Sequence, residues 1–84
     1  MSSLEISRIL GNQIRKLREE RHISQQNLAE MCNVEKSNMA RIEAGRTNPT
    51  LLTMYKISSA LKIPLAELVD FEIDMEDNNN SCHK

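Results

Sequence analysis

Two short amphipathic segments that follow each other almost without a break constrain the fold of this chain most. The first begins at Ser24, which is a good N-cap, with Ile23 and Leu28 in the two positions of a hydrophobic staple. It ends at Asn33, because Asn tolerates the left-handed conformation that a helix end often needs. Its apolar residues are Leu28, Ala29, Met31 and Cys32. This pattern predicts a helix of about two turns.

The second segment, Val34 to Ala44, repeats the same signals. Val34 and Met39 are placed as a staple around an N-cap at Glu35, and Gly45 follows in the position that closes a helix. Two short helices joined by so few residues cannot run antiparallel and must cross steeply. The sequence therefore predicts helix-turn-helix geometry.

Three further helices are predicted around this pair. The first runs from about Ser3 to Glu20, because Ser2 and Glu5 form a capping box ahead of an apolar face. The residues of that face are Ile6, Ile9, Leu10, Ile14 and Leu17. A single helix of this length can cover one side of the helix pair.

The fourth helix is capped by Thr50 and ends at the break Ile63-Pro64. Its apolar residues are Leu51, Met54, Ile57 and Leu61. A fifth helix is predicted from Leu65 to Val69, with Pro64 in the first turn, where its missing N–H is not needed. Because only two residues are aromatic, the core must be aliphatic, and an all-α body of five helices is expected.

Charge divides the 84 residues into two regions. Residues 1–69 contain ten Lys or Arg against seven Glu, a net of +3, and are expected to form one DNA-binding domain. Residues 70–84 contain five acids against one base, a net of -4, and form an acidic C-terminal tail. A mildly basic body fits a nucleic-acid partner, although many solvated helices have a similar charge.

The start of the tail alternates apolar and acidic residues from Val69 to Met75, which is the period of a strand. One strand has no partner in a helical body, but the two-fold mate of a dimer could supply one as an antiparallel pair. The alternative is a disordered acidic tail, and residues from Glu76 onward are expected to be disordered in either case.

Several function classes find no support in the residues. No nucleophile and base form a recognisable catalytic signature, so no enzyme activity and no cofactor are expected. Cys82-His83 offers two potential metal ligands where a closed zinc site requires four, and Cys32 lies on an apolar helix face. Two unrelated cysteines and the lack of a long apolar run favour a cytoplasmic protein that neither enters a membrane nor is exported.

The ordered set of motifs resembles the Cro and phage-repressor family, also called XRE-type regulators. The matching strings cover roughly residues 9–69 and are Ile14-Arg15-Lys16-Leu17-Arg18, Ile23-Ser24-Gln25-Gln26-Asn27-Leu28-Ala29, Ile42-Glu43-Ala44-Gly45-Arg46-Thr47-Asn48-Pro49-Thr50-Leu51 and Ala60-Leu61. The resemblance implies a phage-repressor-like, five-helix DNA-binding domain, usually dimeric, whose third helix enters the major groove. It also implies an ion pair between Arg18 and Glu43.

The chain departs from the family pattern at three positions. His22 and Asn33 stand where the family usually has Gly, and both residue types tolerate positive φ. Glu35 replaces the usual Ser or Thr at the cap of the third helix, where it is a poorer cap although its charge suits a helix N-terminus.

The resemblance also assigns candidate DNA-binding residues, position by position. Gln25 is expected to anchor a phosphate, and the alternative is a plain exposed glutamine. The candidates for reading bases are Lys36, Ser37, Asn38 and Arg41. The candidates for phosphate contacts in the following loop are Arg46, Thr47 and Asn48. A phosphate contact by Lys36 and an ordinary turn for the loop remain as alternatives.

These residues predict a dimeric transcription regulator, a repressor in the simplest case, that binds a pseudo-palindromic operator in double-stranded DNA without a small-molecule ligand. The apolar residues expected to form the homodimer are Leu52, Tyr55, Leu65 and Val69. Alternatives are a controller of a restriction-modification system, the antitoxin of a toxin pair, or a protein-interaction module of coactivator type.

Overall fold

The computed structural model describes residues 2–71. Its helices are α1 (Ser3–Glu20), α2 (Gln25–Cys32), α3 (Lys36–Glu43), α4 (Leu51–Leu61) and α5 (Leu65–Leu68). Within that range there is no strand, so the expected all-helical body is confirmed, with α1 and the α2–α3 pair at the predicted positions. Among the described helices, none has the length and apolar character needed to cross a bilayer.

Three of the five helices begin with a side-chain cap. The Ser2 hydroxyl accepts from the Glu5 amide in a complete capping box, and Ser24 and Thr50 cap α2 and α4 in the same way. Glu35 makes no side-chain cap bond, as its poor capping ability predicts. Pro64 occupies the N-cap of α5 rather than its first turn, and that helix ends at Leu68, one residue earlier than expected.

The first four helices end through a residue with positive φ, namely His22, Asn33, Gly45 and Lys62. The next residue then donates its backbone N–H to a carbonyl five residues back, which satisfies the end of the helix. The expected left-handed conformation at His22 and Asn33 is confirmed. Three of these ends are followed by a partly buried apolar residue packed on the core, whereas Gly45 is followed by the exposed Arg46.

The core is aliphatic, as expected, and consists of Leu10, Ile14, Leu17, Leu28, Ala29, Cys32, Met39, Ile42, Ile57, Leu61 and Leu68. Three predicted core residues, Ile6, Met31 and Leu51, are exposed instead. The buried face of α1 is rotated relative to the expectation because Ser7 and Gly11, which are small, face the neighbouring elements. Ile6 and Leu51 also lie near the first turns of their helices, beyond the centre of the core.

The α5 helix and the residues after it close the domain on α1. The Gln13 amide donates to the carbonyl oxygens of Glu67 and Asp70, and Phe71 packs on the core. The expected strand from Val69 to Met75 is not formed over residues 69–71, because Val69 caps α5 and the Phe71 amide donates back to the Val69 carbonyl. Residues 72–75 lie outside the described residues, as do Cys82 and His83.

Candidate nucleic-acid interface

Helix α3 has one buried face and one exposed face. Met39, Ile42 and Glu43 are buried against α1 and α2. Because an α-helix has 3.6 residues per turn, Ser37 and Arg41 lie one turn apart on the opposite side, with Lys36 and Asn38 on the two flanks. Lys36, Ser37 and Arg41 are exposed and Asn38 is half-buried. The structure thus brings the four expected base-reading residues together on one surface, which we call the outer face of α3.

The only side-chain hydrogen bond described within the outer face is a weak one. Arg41 Nη2 donates to Asn38 Oδ1 at 3.4 Å, between two residues that are three positions apart. Such a bond near the distance limit can be exchanged for a partner of better geometry. Both side chains are therefore available to a base edge in a groove.

The N-terminus of α3 is open. The first N–H groups of a helix have no intrahelical acceptor, and Glu35 supplies none from its side chain. In contrast, the Ser24 hydroxyl accepts from the Asn27 amide at 3.0 Å at the start of α2. Free amides and the positive end of the helix dipole make the start of α3 attractive to an anion.

The buried face of α3 is fixed to α1 by an ion pair, as the family pattern implies. Arg18 Nε and Nη2 donate to the two carboxylate oxygens of Glu43 at 2.8 and 3.0 Å, and Arg18 Nη1 donates to the Ile23 carbonyl at 2.8 Å. The side chains are 10% and 2% exposed. The bond to Glu43 raises the pKa of Arg18, so the guanidinium stays charged. This pair sets the angle of α3 on α1.

Gln25 is connected to the same ion pair. Its Nε2 donates to Glu43 Oε1 at 3.0 Å, and the side chain is half-buried. One N–H of the amide is therefore committed inward, and the second N–H remains for a phosphate. The structure separates Gln25 from the outer face of α3, because it lies at the start of α2 beside the buried Glu43.

The loop Gly45–Asn48 follows the C-terminus of α3 and lies against α1. Gly45 has a φ of +75°, and a Cβ there would come within 2.6 Å of Arg8 Cα. The Ser7 hydroxyl donates to Asn48 Oδ1. Arg46 is exposed and Thr47 half-buried, and both border a concavity of about 210 Å³ next to Ser7. The Arg46 amide donates to the Arg41 carbonyl at 2.9 Å, so only its side chain can reach a phosphate.

Two residues of α1 that shape this surface were not identified from the sequence. Gly11 allows α3 to approach, since a Cβ there would come within 2.5 Å of the Glu43 carbonyl oxygen. Ser7 holds Asn48 and is 6% exposed. With Ile14 and Arg18 they occupy one stripe of α1 at spacings of four, three and four residues, and this spacing of small and polar residues was the available signal.

Two short crossing helices, the second with an anchored inner face and an open, basic outer face, define a helix-turn-helix domain. The sequence profile of the helix-turn-helix family HTH_3 matches residues 14–68. The chain therefore belongs to this family, and the resemblance to XRE-type regulators seen in the sequence is confirmed.

Relatives with known names have related descriptions. The immunity repressor protein of Bacillus phage phi105 is 38% identical over 75% of this chain and 44% of its own length. The control protein C.MunI of a Mycoplasma species is 37% identical over 69% of this chain and 80% of its own length. The chain spans less than half of the length of the phage repressor.

The fold is also similar to that of a solved structure. The restriction-modification controller protein C.AhdI from Aeromonas hydrophila superimposes with a TM-score of 0.72 at 31% identity, over 74% of this chain and 94% of that protein. A relative of this similarity supports the same arrangement of helices around the outer face of α3.

Proposed function

We propose that this chain is a transcription regulator that binds double-stranded DNA with α3 in the major groove. The observation that carries the proposal is the outer face of α3, where Lys36, Ser37, Asn38 and Arg41 are grouped opposite a rigidly buried face. A helix of this exposure fits a major groove about 12 Å wide. The activity is binding, without a catalytic step, and its place is the cytoplasm, where bacterial and phage operators lie.

Base reading and phosphate binding fall on different residues in this proposal. Arg41 and Asn38 suit guanine and adenine edges, respectively, because their side chains can form two hydrogen bonds with one base. Arg46, Thr47 and Asn48 form a second contact on the DNA backbone beyond the end of α3. Gln25 contributes its remaining N–H and the start of α2 to a phosphate on the other side.

Selection of bound duplexes from a random pool, followed by sequencing, tests the function directly. We expect an enriched pseudo-palindromic sequence, and failure to enrich any duplex would contradict the proposal. Arg46→Ala is expected to weaken binding to all sequences and to lower the salt slope by about one, because one phosphate contact is lost. Arg15→Ala, on an exposed part of α1, is the matched control.

We further propose a homodimer formed through α4 and α5. Leu52, Tyr55 and Val69 are exposed, whereas Leu65, the fourth expected interface residue, is half-buried against the core. Two-fold symmetry would place two copies of α3 about 34 Å apart, on successive turns of DNA. Leu52→Glu is expected to give monomers in sedimentation at tens of micromolar, while Met31→Glu, at a similarly exposed position on α2, leaves the dimer intact.

The acidic tail is proposed to act as a unit separate from the basic body. The contacts of Gln13 and Phe71 extend the body to residue 71, so a deletion that begins at residue 72 is the suitable test. Weaker dimerisation after this deletion supports strand pairing across the dimer. Tighter DNA binding with an unchanged dimer supports a loose acidic segment that repels phosphate.

A controller of a restriction-modification system is the second candidate. It is favoured by the extent of the similarity, since this chain covers 94% of the controller C.AhdI and 80% of C.MunI. This role predicts that the selected DNA sequence occurs just upstream of a methyltransferase or endonuclease gene. An operator located only at unrelated genes would exclude it.

A further inference from the structure

The contact between Ser7 and Asn48 joins α1 to the loop that follows α3. Ser7 lies in the second turn of α1 and is almost completely buried, and its hydroxyl donates to Asn48 Oδ1 across 41 residues of sequence. The neighbouring residue Arg8 packs against Gly45, which has no space for a Cβ. The loop is therefore held against α1 at both of its ends, with Arg46 and Thr47 between them.

The hydrogen bond selects one of the two orientations of the Asn48 amide. When Oδ1 accepts from Ser7, the Nδ2 group, which carries two donors, is turned away from that hydroxyl. The opposite orientation would present Oδ1 outward, and an acceptor cannot form a hydrogen bond with phosphate oxygen. Asn48 is exposed and borders the same concavity as Arg46, so an outward Nδ2 and a guanidinium are presented together.

We propose that Ser7 is a positioning residue for DNA binding, which holds the Asn48 amide with Nδ2 directed at a backbone phosphate beside Arg46. Ser7 itself is buried and does not contact DNA. Such a fixed donor loses less side-chain freedom on binding than a mobile one. This inference rests on the proposed function, because it assumes that the loop contacts a phosphate.

The test measures the affinity of the full chain for a fluorescent duplex of random sequence at about 50 mM salt, where phosphate contacts dominate binding. Ser7→Ala and Asn48→Ala are each expected to weaken binding about two- to tenfold, the effect of one hydrogen bond. The double variant is expected to bind as Asn48→Ala does, because both changes remove the same contact. Ser7→Thr keeps the hydroxyl and is expected to restore most of the affinity.

The alternatives give different results. A purely structural role for Ser7 predicts that Ser7→Ala lowers the melting temperature with unchanged affinity of the folded protein, or that its effect multiplies with that of Asn48→Ala. Either result overturns the inference. If Arg46→Ala lowers the salt slope while Ser7→Ala binds like the wild type, the inference alone fails. If the wild type binds no duplex, the proposed function fails and the inference fails with it.

Discussion

The two faces of α3 differ in how much of their chemistry is already satisfied. On the inner face, Glu43 accepts from Arg18 and Gln25, and Met39 and Ile42 are 0% and 1% exposed. On the outer face, a single bond of 3.4 Å joins Asn38 to Arg41 among the described contacts. One helix thus separates stability from recognition, because substitutions on one side act on folding and those on the other act on binding.

The largest effect is expected from Arg18→Ala, which attacks the inner face. Removing the guanidinium leaves the buried carboxylate of Glu43 without its charged partner, and breaking a buried pair in this way typically lowers the free energy of unfolding by about 3–5 kcal/mol. Thermal unfolding followed by circular dichroism measures the loss, with Arg15→Ala as the exposed control on the same helix. A normal melting temperature together with lost DNA binding would contradict the division between the faces.

Gly11→Ala tests the close approach of α1 to α3. The added methyl group would lie about 2.5 Å from the Glu43 carbonyl oxygen, and because that atom belongs to the backbone, the helices must move apart. We expect a loss of about 1–3 kcal/mol, typical of overpacking, despite the better helix propensity of Ala. Asn12→Ala, at the exposed neighbouring position, has the propensity gain without the contact and should not destabilise the protein.

Arg41→Ala tests the outer face. It is expected to weaken binding to the selected operator by about 1–3 kcal/mol while leaving binding to random DNA almost unchanged, and Asn38→Ala should behave in the same way. Titration of both duplexes with the same protein gives the two affinities. An equal loss on operator and random DNA would assign Arg41 to phosphate rather than to bases. The melting temperature should remain that of the wild type in either case.

Glu35 lies where the two faces meet, and its replacement should have the smallest effect. Glu35→Ser supplies the missing cap and is expected to raise the free energy of unfolding by about 0.5–1 kcal/mol. Glu35→Gln removes the charge without adding a good cap, so it separates the two contributions. Both variants should bind DNA more tightly if the carboxylate lies near phosphate, but only the serine variant should melt at a higher temperature.

Most of the fold could be predicted because its signals are local. The caps at Ser2, Ser24 and Thr50 and the left-handed ends at His22 and Asn33 depend on a few neighbouring residues, and all five are present in the structure. The start of α5 was misjudged by one position because Pro is compatible with both the N-cap and the first turn.

The remainder could not be predicted because it depends on which elements pack together. Gly11 and Ser7 have no meaning within α1 alone and acquire one from the backbone of α3 and from the loop after it. Similarly, Gln25 was expected to face a phosphate, and its bond to Glu43 follows from the steep crossing of α2 and α3. The roles of the outer-face residues on DNA remain predictions.

The positive-φ helix ends have a consequence for how far this sequence can drift. At His22, Asn33 and Lys62 a side chain is accommodated in the left-handed region, so exchange among many residue types should shift stability by only about 1–2 kcal/mol. At Gly45 the backbone of Arg8 occupies the space of a Cβ, and no other residue fits without moving α1. Three helix ends can therefore vary during evolution, whereas the end that leads into the loop beside DNA is restricted to a single residue type.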